Sequence, residues 1–272
     1  MENTFTIPQS PLIKDIVHIF WQNDLHSPSA VKETILPKGL VEIVFKFDTA
    51  RSYATFNDNI QVIPACFIQG FHNRPFQLFI EEGQFSFGVV LSPCAVKHIF
   101  HFPANILVNR IIDLTLVDPT IRALWQLMGE QTSFDDRVNV FAAWLMKRLP
   151  PLTDRDKAFN QFLLSHSNSN LSVAELARHF CYSTKQLSRK LNELTGQNAE
   201  QVILFKKFLQ ATQLVHSSDL SLTEIAYESH FCDQSHFIRT FKAFSNITPK
   251  EYKQKKGIVS GHIYEDVPYI QF

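Results

Sequence analysis

The feature that most constrains this chain is an internal repeat. Leu171-Ser172-Val173-Ala174-Glu175-Leu176-Ala177-Arg178 and Leu220-Ser221-Leu222-Thr223-Glu224-Ile225-Ala226-Tyr227 lie about fifty residues apart and agree at Leu, Ser, Glu and Ala, with Leu176 exchanged for Ile225. Each copy opens with a capping box, Ser172 with Glu175 and Ser221 with Glu224, which satisfies two orphan backbone donors and fixes where a helix starts. Behind the caps, Val173, Leu176, Ala177 and Leu222, Ile225, Ala226 fall at helical spacing, and the small Ala lets a second helix approach closely.

A tight turn follows in each copy, through Phe180-Cys181-Tyr182 and His230-Phe231-Cys232, and then a second cap, Ser183 with Gln186 or Asp233 alone. The helices that follow are two-faced. Leu187, Leu191 and Leu194 form one apolar stripe and Phe237, Phe241 and Phe244 the other. Opposite them stand Lys185, Ser188, Arg189 and Asn192, and then Ser235, His236, Arg239 and Lys242. A short helix that presents Arg and small polar groups near its N-terminal end suits the major groove of duplex DNA, where Arg can pair with guanine through two hydrogen bonds. The rival reading of one copy is a solvated bundle helix. Duplication weakens it, because a bundle has no need for Arg at matching places in two capped helix pairs.

The rest of the chain frames that repeat. At 272 residues it can hold two domains of ordinary size. Up to about Ser92 it reads as short runs rich in Val, Ile and Phe, such as 41–47 and 85–91, broken by Gly, Pro and Asn. Helical stretches are expected around Thr120 to Met128 and Phe134 to Leu149, and Pro150-Pro151 then interrupts any continuous helix. The expected organisation is α+β: a β-rich, barrel-like regulatory domain with helices over 1–150, an all-α domain of two helix-turn-helix units over 151–256, and a tail over 257–272.

Charge follows the same division. Residues 154–256 hold 14 Lys and Arg against 10 Asp and Glu, whereas 1–153 hold 12 against 14, a modest positive bias where a DNA reader is expected. Residues 1–10 lack a basic flank before an apolar stretch, and no apolar run has the length of a spanning helix, so a cytoplasmic address and no membrane contact are expected. Four widely spaced cysteines, Cys66, Cys94, Cys181 and Cys232, make no C-x-x-C pair and are expected as reduced, mostly buried thiols.

Enzymatic readings find little support. His98 and His101 could meet on a helix, but no nearby Cys or paired carboxylate completes a metal site, and no metal or cofactor is expected. Neither a nucleophile elbow nor a Gly-rich phosphate loop is present in a chain with eight glycines. A DNA-repair methyl acceptor built on four zinc-bound cysteines is excluded, since only Cys66 and Cys94 lie outside the helical half. The abundant Phe residues of the first half, Phe45, Phe47, Phe67, Phe71, Phe76, Phe79, Phe85 and Phe87, are core in the simpler reading and the wall of an apolar effector pocket in the sharper one.

From Asp154 to Tyr252 the chain resembles the AraC family of transcription regulators. The resemblance is carried by Glu224-Ile225-Ala226, Phe231, Ser235-His236-Phe237, Arg239, Phe241-Lys242 and Thr248-Pro249-Lys250-Glu251-Tyr252, and in the first unit by Leu176-Ala177, Ser183, Leu187-Ser188-Arg189-Lys190 and Thr195-Gly196. It implies two helix-turn-helix units joined by a linker helix over Ala199 to His216, reading adjacent major-groove segments. Base-facing positions would be Thr184, Lys185, Ser188 and Arg189, then Gln234, Ser235, His236 and Arg239. Ser172, Ser221, Lys190 and Lys242 would meet phosphate. His230 and Asn246 stand at turn positions where a φ > 0 residue, His230 in place of the family's Gly, is expected.

The first half resembles, less specifically, the sensor domains of one branch of that family, through 36–45 and 88–93. The partners so implied are double-stranded DNA and an unidentified small-molecule effector, with RNA polymerase and a second copy of the chain compatible with them. Two alternatives are an effector-independent DNA binder controlled by protein contacts and a protein scaffold without DNA affinity.

Overall fold

The computed structural model describes residues 2–10, 13–25, 30–56, 59–80, 83–148, 152–165 and 170–267. Pro150-Pro151, the expected boundary, lies outside them. Eleven strands among the described residues form two antiparallel sheets. Strands β1 (Glu2–Thr6), β2 (Val17–Leu25), β4 (Val41–Lys46), β7 (Cys66–Gln69), β9 (Gln84–Leu91) and β10 (Ile111–Asp113) make a six-stranded sheet in the order β1-β2-β9-β4-β7-β10. Strands β3 (Ala30–Ile35), β5 (Ser52–Phe56), β6 (Asn59–Val62), β8 (Phe76–Ile80) and β11 (His262–Val267) make the second, in the order β11-β3-β8-β5-β6. The β-rich half expected from sequence is therefore present, but as two separate sheets and not as a closed barrel.

The inner strands β4, β7 and β9 of the six-stranded sheet are buried on both faces, which explains why they read as near-continuous apolar runs. Phe20, Phe45 and Phe87 point to one face, where helices α1 (Pro93–Phe100), α2 (Thr120–Gly129) and α3 (Phe134–Met146) close the largest core. The Phe141 ring of α3 meets Phe20 edge-on at 5.9 Å and Phe45 at 6.1 Å. Alternate residues such as Val44 and Phe67 turn to the other face and pack with Ala54 and Leu78 of the second sheet. The phenylalanines are thus divided between roles: Phe45 and Phe87 are core, whereas Phe67 and Phe76 line a space between the sheets.

From residue 154 onward the described chain is helical until β11. Helix α4 (Asp154–Leu164) packs with α5 (Val173–His179), α6 (Thr184–Thr195) and the first half of α7 (Ala199–Ser217) around Phe159, Phe180, Leu187 and Leu191. The second half of α7 packs with α8 (Leu222–Glu228), α9 (Gln234–Ser245) and α10 (Pro249–Lys255) around Phe208, Phe237, Phe241 and Tyr252. Residues 262–267, beyond the last helix, return to the first half and pair with β3 along its whole length, His262 opposite Ile35 and Val267 opposite Ala30. No helix among the described residues is long and apolar enough to cross a membrane.

Gly88 in β9 stands opposite Trp21 of β2, and a Cβ there would come within 2.0 Å of the indole ring. Glycine is required at this point because the ring lies across the strand. Gly88→Ala is expected to destabilise the protein by about 1–3 kcal/mol through overpacking, read as a lowered midpoint in chemical denaturation.

Candidate nucleic-acid interface

Both helix pairs are built by the same local devices. Ser172 and Ser221 each accept the N–H of the Glu three residues on, and each Glu carboxylate accepts the backbone N–H of its cap in return. These bonds hold the carboxyls of Glu175 and Glu224 below the usual carboxylate range. Ser183 and Gln186 make the same reciprocal pair at the start of α6, while Asp233 caps α9 alone by accepting the His236 N–H at 2.7 Å.

The turns are Schellman motifs. The N–H groups of Cys181 and Tyr182 bond the carbonyls of Arg178 and Ala177, and those of His230 and Phe231 bond Tyr227 and Ala226. Such a turn needs one residue at positive φ, and Cys181 (φ 55°) and His230 (φ 60°) supply it. His230 therefore retains the geometry in which a glycine is common. The role of Cys181 was not visible in the sequence, because Cys carries no signal for left-handed backbone. Helices α6 and α9 also end alike, on Gly196 (φ 71°) and Asn246 (φ 63°).

A third helix completes each unit. Asn198 with Gln201 and Thr248 with Glu251 form capping boxes that open α7 and α10. Each repeat is accordingly a capped helix, a Schellman turn, a capped reading helix, a left-handed stop and a capped third helix.

On α6, Thr184, Lys185, Arg189 and Asn192 are exposed and border one hollow with half-buried Ser188. The Ser188 hydroxyl accepts the Ala199 N–H at 3.3 Å and so ties α7 to the reading helix. On α9, Gln234, Ser235, Arg239 and Lys242 are exposed. Gln234 Oε1 accepts from Thr223 at 2.9 Å, and the half-buried His236 ring stands edge-on to Phe231 at 5.3 Å. Ser172 and Ser221 are exposed at their helix starts. Lys190 is turned the other way: its ammonium lies 3.8 Å from Asp156 of α4. The reason is helical spacing, since Lys190 stands three residues after Leu187 and four before Leu194 and so flanks the buried stripe.

Of the four cysteines, all free, Cys66 and Cys94 are buried and their thiols are pushed up to about 12 by burial, whereas Cys181 and Cys232 are exposed. The expectation of mostly buried thiols thus holds for two. His98 lies 3.9 Å from Asp156, and His101 caps the C-terminus of α1.

Two capped three-helix units, each with a polar helix face turned outward, define the helix-turn-helix class of DNA-binding proteins. Residues 176–255 match the family described as helix-turn-helix domain. Residues 5–113 match a domain of unknown function, DUF6597. An uncharacterized HTH-type transcriptional regulator of Staphylococcus aureus, SAS0078, is 33% identical over 101 residues, 35% of this chain and 13% of that protein. The HTH-type transcriptional activator RhaS of Salmonella arizonae is 30% identical over 110 residues, 39% of this chain and 40% of RhaS. The chain thus covers less than half of either relative. ToxT from Vibrio cholerae, solved with an unsaturated fatty acid bound, is 17% identical with a TM-score of 0.47, over 86% of this chain and 94% of that one.

The left-handed turn gives a stability test. His230→Gly is expected to be neutral or slightly stabilising, and His230→Val to cost about 1–2 kcal/mol because a β-branched side chain opposes positive φ. Thermal melts of both variants check it; a His230→Val protein as stable as the parent would contradict the turn.

Proposed function

We propose that the protein is a sequence-specific DNA-binding transcription regulator that acts in the cytoplasm, with a DNA-binding unit over 151–256 and an effector-sensing unit over 1–150. The observation that carries this reading is the equivalence of Arg189 and Arg239. Both are exposed, both stand six residues after the cap of their helix, and the two helices share their caps, turns and stops. Arg is the side chain best able to read guanine, and Thr184, Lys185, Gln234, Ser235 and His236 surround the two arginines with donors suited to base edges and phosphates. Ser172, Ser221 and Lys242 are assigned to phosphate; Lys190, engaged with Asp156, is assigned to structure.

Control by a small molecule is supported by a cavity of about 400 Å³ between the two sheets and by the strand that borders it. In β11, His262 and Tyr264 line the cavity, while Ile263 between them is buried in the core that holds α7, α9 and α10. One strand therefore has the cavity on one face and the second helix-turn-helix unit on the other. The Tyr252 hydroxyl accepts the Gly261 N–H at 2.8 Å just before that strand, which adds a polar tie to α10.

Arg189→Ala and Arg239→Ala are each expected to cost about 1–3 kcal/mol on the specific site and to relax preference at one base step. Genomic footprinting supplies the site, and quantitative gel shifts on that site and on random duplex measure the cost. Equal losses on both DNAs for both variants would overturn the assignment.

A further inference from the structure

The walls of the cavity between the sheets restrict what it can hold. Trp21, Val44, Phe67, Phe76 and Leu78 give it an apolar, largely aromatic body. One end is polar, with Glu33, Lys38, Glu42, Gln69, His262 and Tyr264.

Two carboxyl groups at that end face a single ammonium. Burial works against the Glu33 carboxylate, but its hydrogen bond and charge contact with His262, helped by Tyr264 and Lys38, hold its pKa below the usual range. Burial, and then Lys38, hold His262 below the ordinary histidine value against the pull of Glu33. The polar end thus holds two carboxyl groups, Glu33 and Glu42, against the one amino group of Lys38. It is also internally satisfied: Glu33 and Lys38 both contact the His262 ring, and Glu42 accepts from Gln69 at 2.7 Å. An anionic ligand would bring a further negative charge into a poorly solvated space whose one cation is already engaged.

The unmet groups are elsewhere on the wall. The side-chain oxygen of Asn23 and both ring nitrogens of His72 are buried without a hydrogen-bond partner. His72 is 6% exposed, and its ring lies 5.2 Å from Phe56 and 4.6 Å from Phe76. Burial lowers its pKa to about 4, and the Asn109 amide, which approaches without reaching hydrogen-bond geometry, offsets this only in part. The ring is therefore neutral, with one acceptor and one donor, and Asn23 adds a second acceptor. Unsatisfied acceptors in a buried, aromatic wall are met by a ligand that has a flat apolar body and N–H or O–H groups.

We propose that this cavity binds a small aromatic molecule that is uncharged or cationic and carries N–H or O–H donors. The proposal rests on the reading of the first half as effector-sensing, but not on DNA recognition, and its test uses binding alone.

Isothermal titration of the full chain with indole, tryptamine, naphthalene and decanoate separates the ligand chemistries. Indole or tryptamine is expected to bind, naphthalene about tenfold more weakly or not at all, and decanoate not at all. His72→Phe keeps a ring of similar shape and removes both nitrogens. It is expected to lower the affinity for indole or tryptamine about tenfold, with Asn23→Leu as the second variant should His72→Phe fail to fold. Decanoate binding in place of the aromatic donors overturns the ligand class and leaves effector sensing standing. Naphthalene binding as well as indole, or no probe binding at about 1 mM, overturns the proposal itself. None of these outcomes bears on whether Arg189 and Arg239 read DNA.

Discussion

The second helix-turn-helix unit cannot close its core with its own residues. Leu36, Phe71 and Ile263 enter the cluster built by Phe205, Phe208, Phe237, Phe241 and Tyr252, and the Phe71 and Phe205 rings meet at 5.0 Å. All three come from the sheet half or from the strand that returns to it. Fully burying one such side chain contributes about 1.5–3 kcal/mol, so the three together contribute roughly 5–9 kcal/mol to the joint. The first unit is tied at several points: Cys94 joins its core, Val108 packs against Gly196, the Cys94 N–H bonds Asn160 at 3.1 Å, and Lys97 pairs with Glu193 at 3.0 Å. Exposed ion pairs of that kind contribute little.

The two parts of the fold differ in how far their sequences disclose them. Capping boxes, Schellman turns and apolar stripes are set by residues within one or two helical turns, so the repeat could be read directly, down to the caps at Ser172, Ser183, Ser221 and Asp233. The boxes opened by Asn198 and Thr248 follow the same rule and were legible on the same terms. The ion pair of Lys190 with Asp156 of α4 joins residues 34 apart in sequence, so it was not legible from the helix that carries Lys190. The left-handed residues Cys181 and His230 were harder, since neither type announces positive φ as Gly would; only the resemblance drew notice to His230.

Long-range pairing is less accessible. Alternation showed that residues before Ser92 form strands, but nothing local fixes which strands share a sheet, and the barrel-like expectation became two sheets. The pairing of 262–267 with Ala30–Ile35 joins segments more than two hundred residues apart. A polar hexapeptide such as His-Ile-Tyr-Glu-Asp-Val gives little sign of belonging to a domain completed long before it. The cavity end was hidden for the same reason, because Glu33, Lys38 and His262 meet only after that pairing has formed.

The joint and the cavity share two short segments. Between β3 and β4, Leu36 is buried in the second unit's core, Lys38 reaches the cavity, and Gly39 (φ +65°) lies so near α7 that a Cβ would come within 2.7 Å of the Phe205 ring. On β11, which neighbours β3, His262 and Tyr264 face the cavity while Ile263 faces the same core. Both segments are held together by the hydrogen bond from the Leu36 N–H to the Gly261 carbonyl at 2.8 Å. Packed interiors do not deform continuously, so a shift in either segment must be taken up by the aromatic cluster on its far side. That cluster contains the buried face of α9, through Phe237 and Phe241, and the opposite face of the same helix carries Arg239. The route from cavity wall to reading helix therefore crosses one layer of side chains for the second unit. The first unit has a buried joint of its own to the sheet half, with Cys94 among Leu187, Leu191 and Leu194 of α6 and Val108 against Gly196 at the end of that helix.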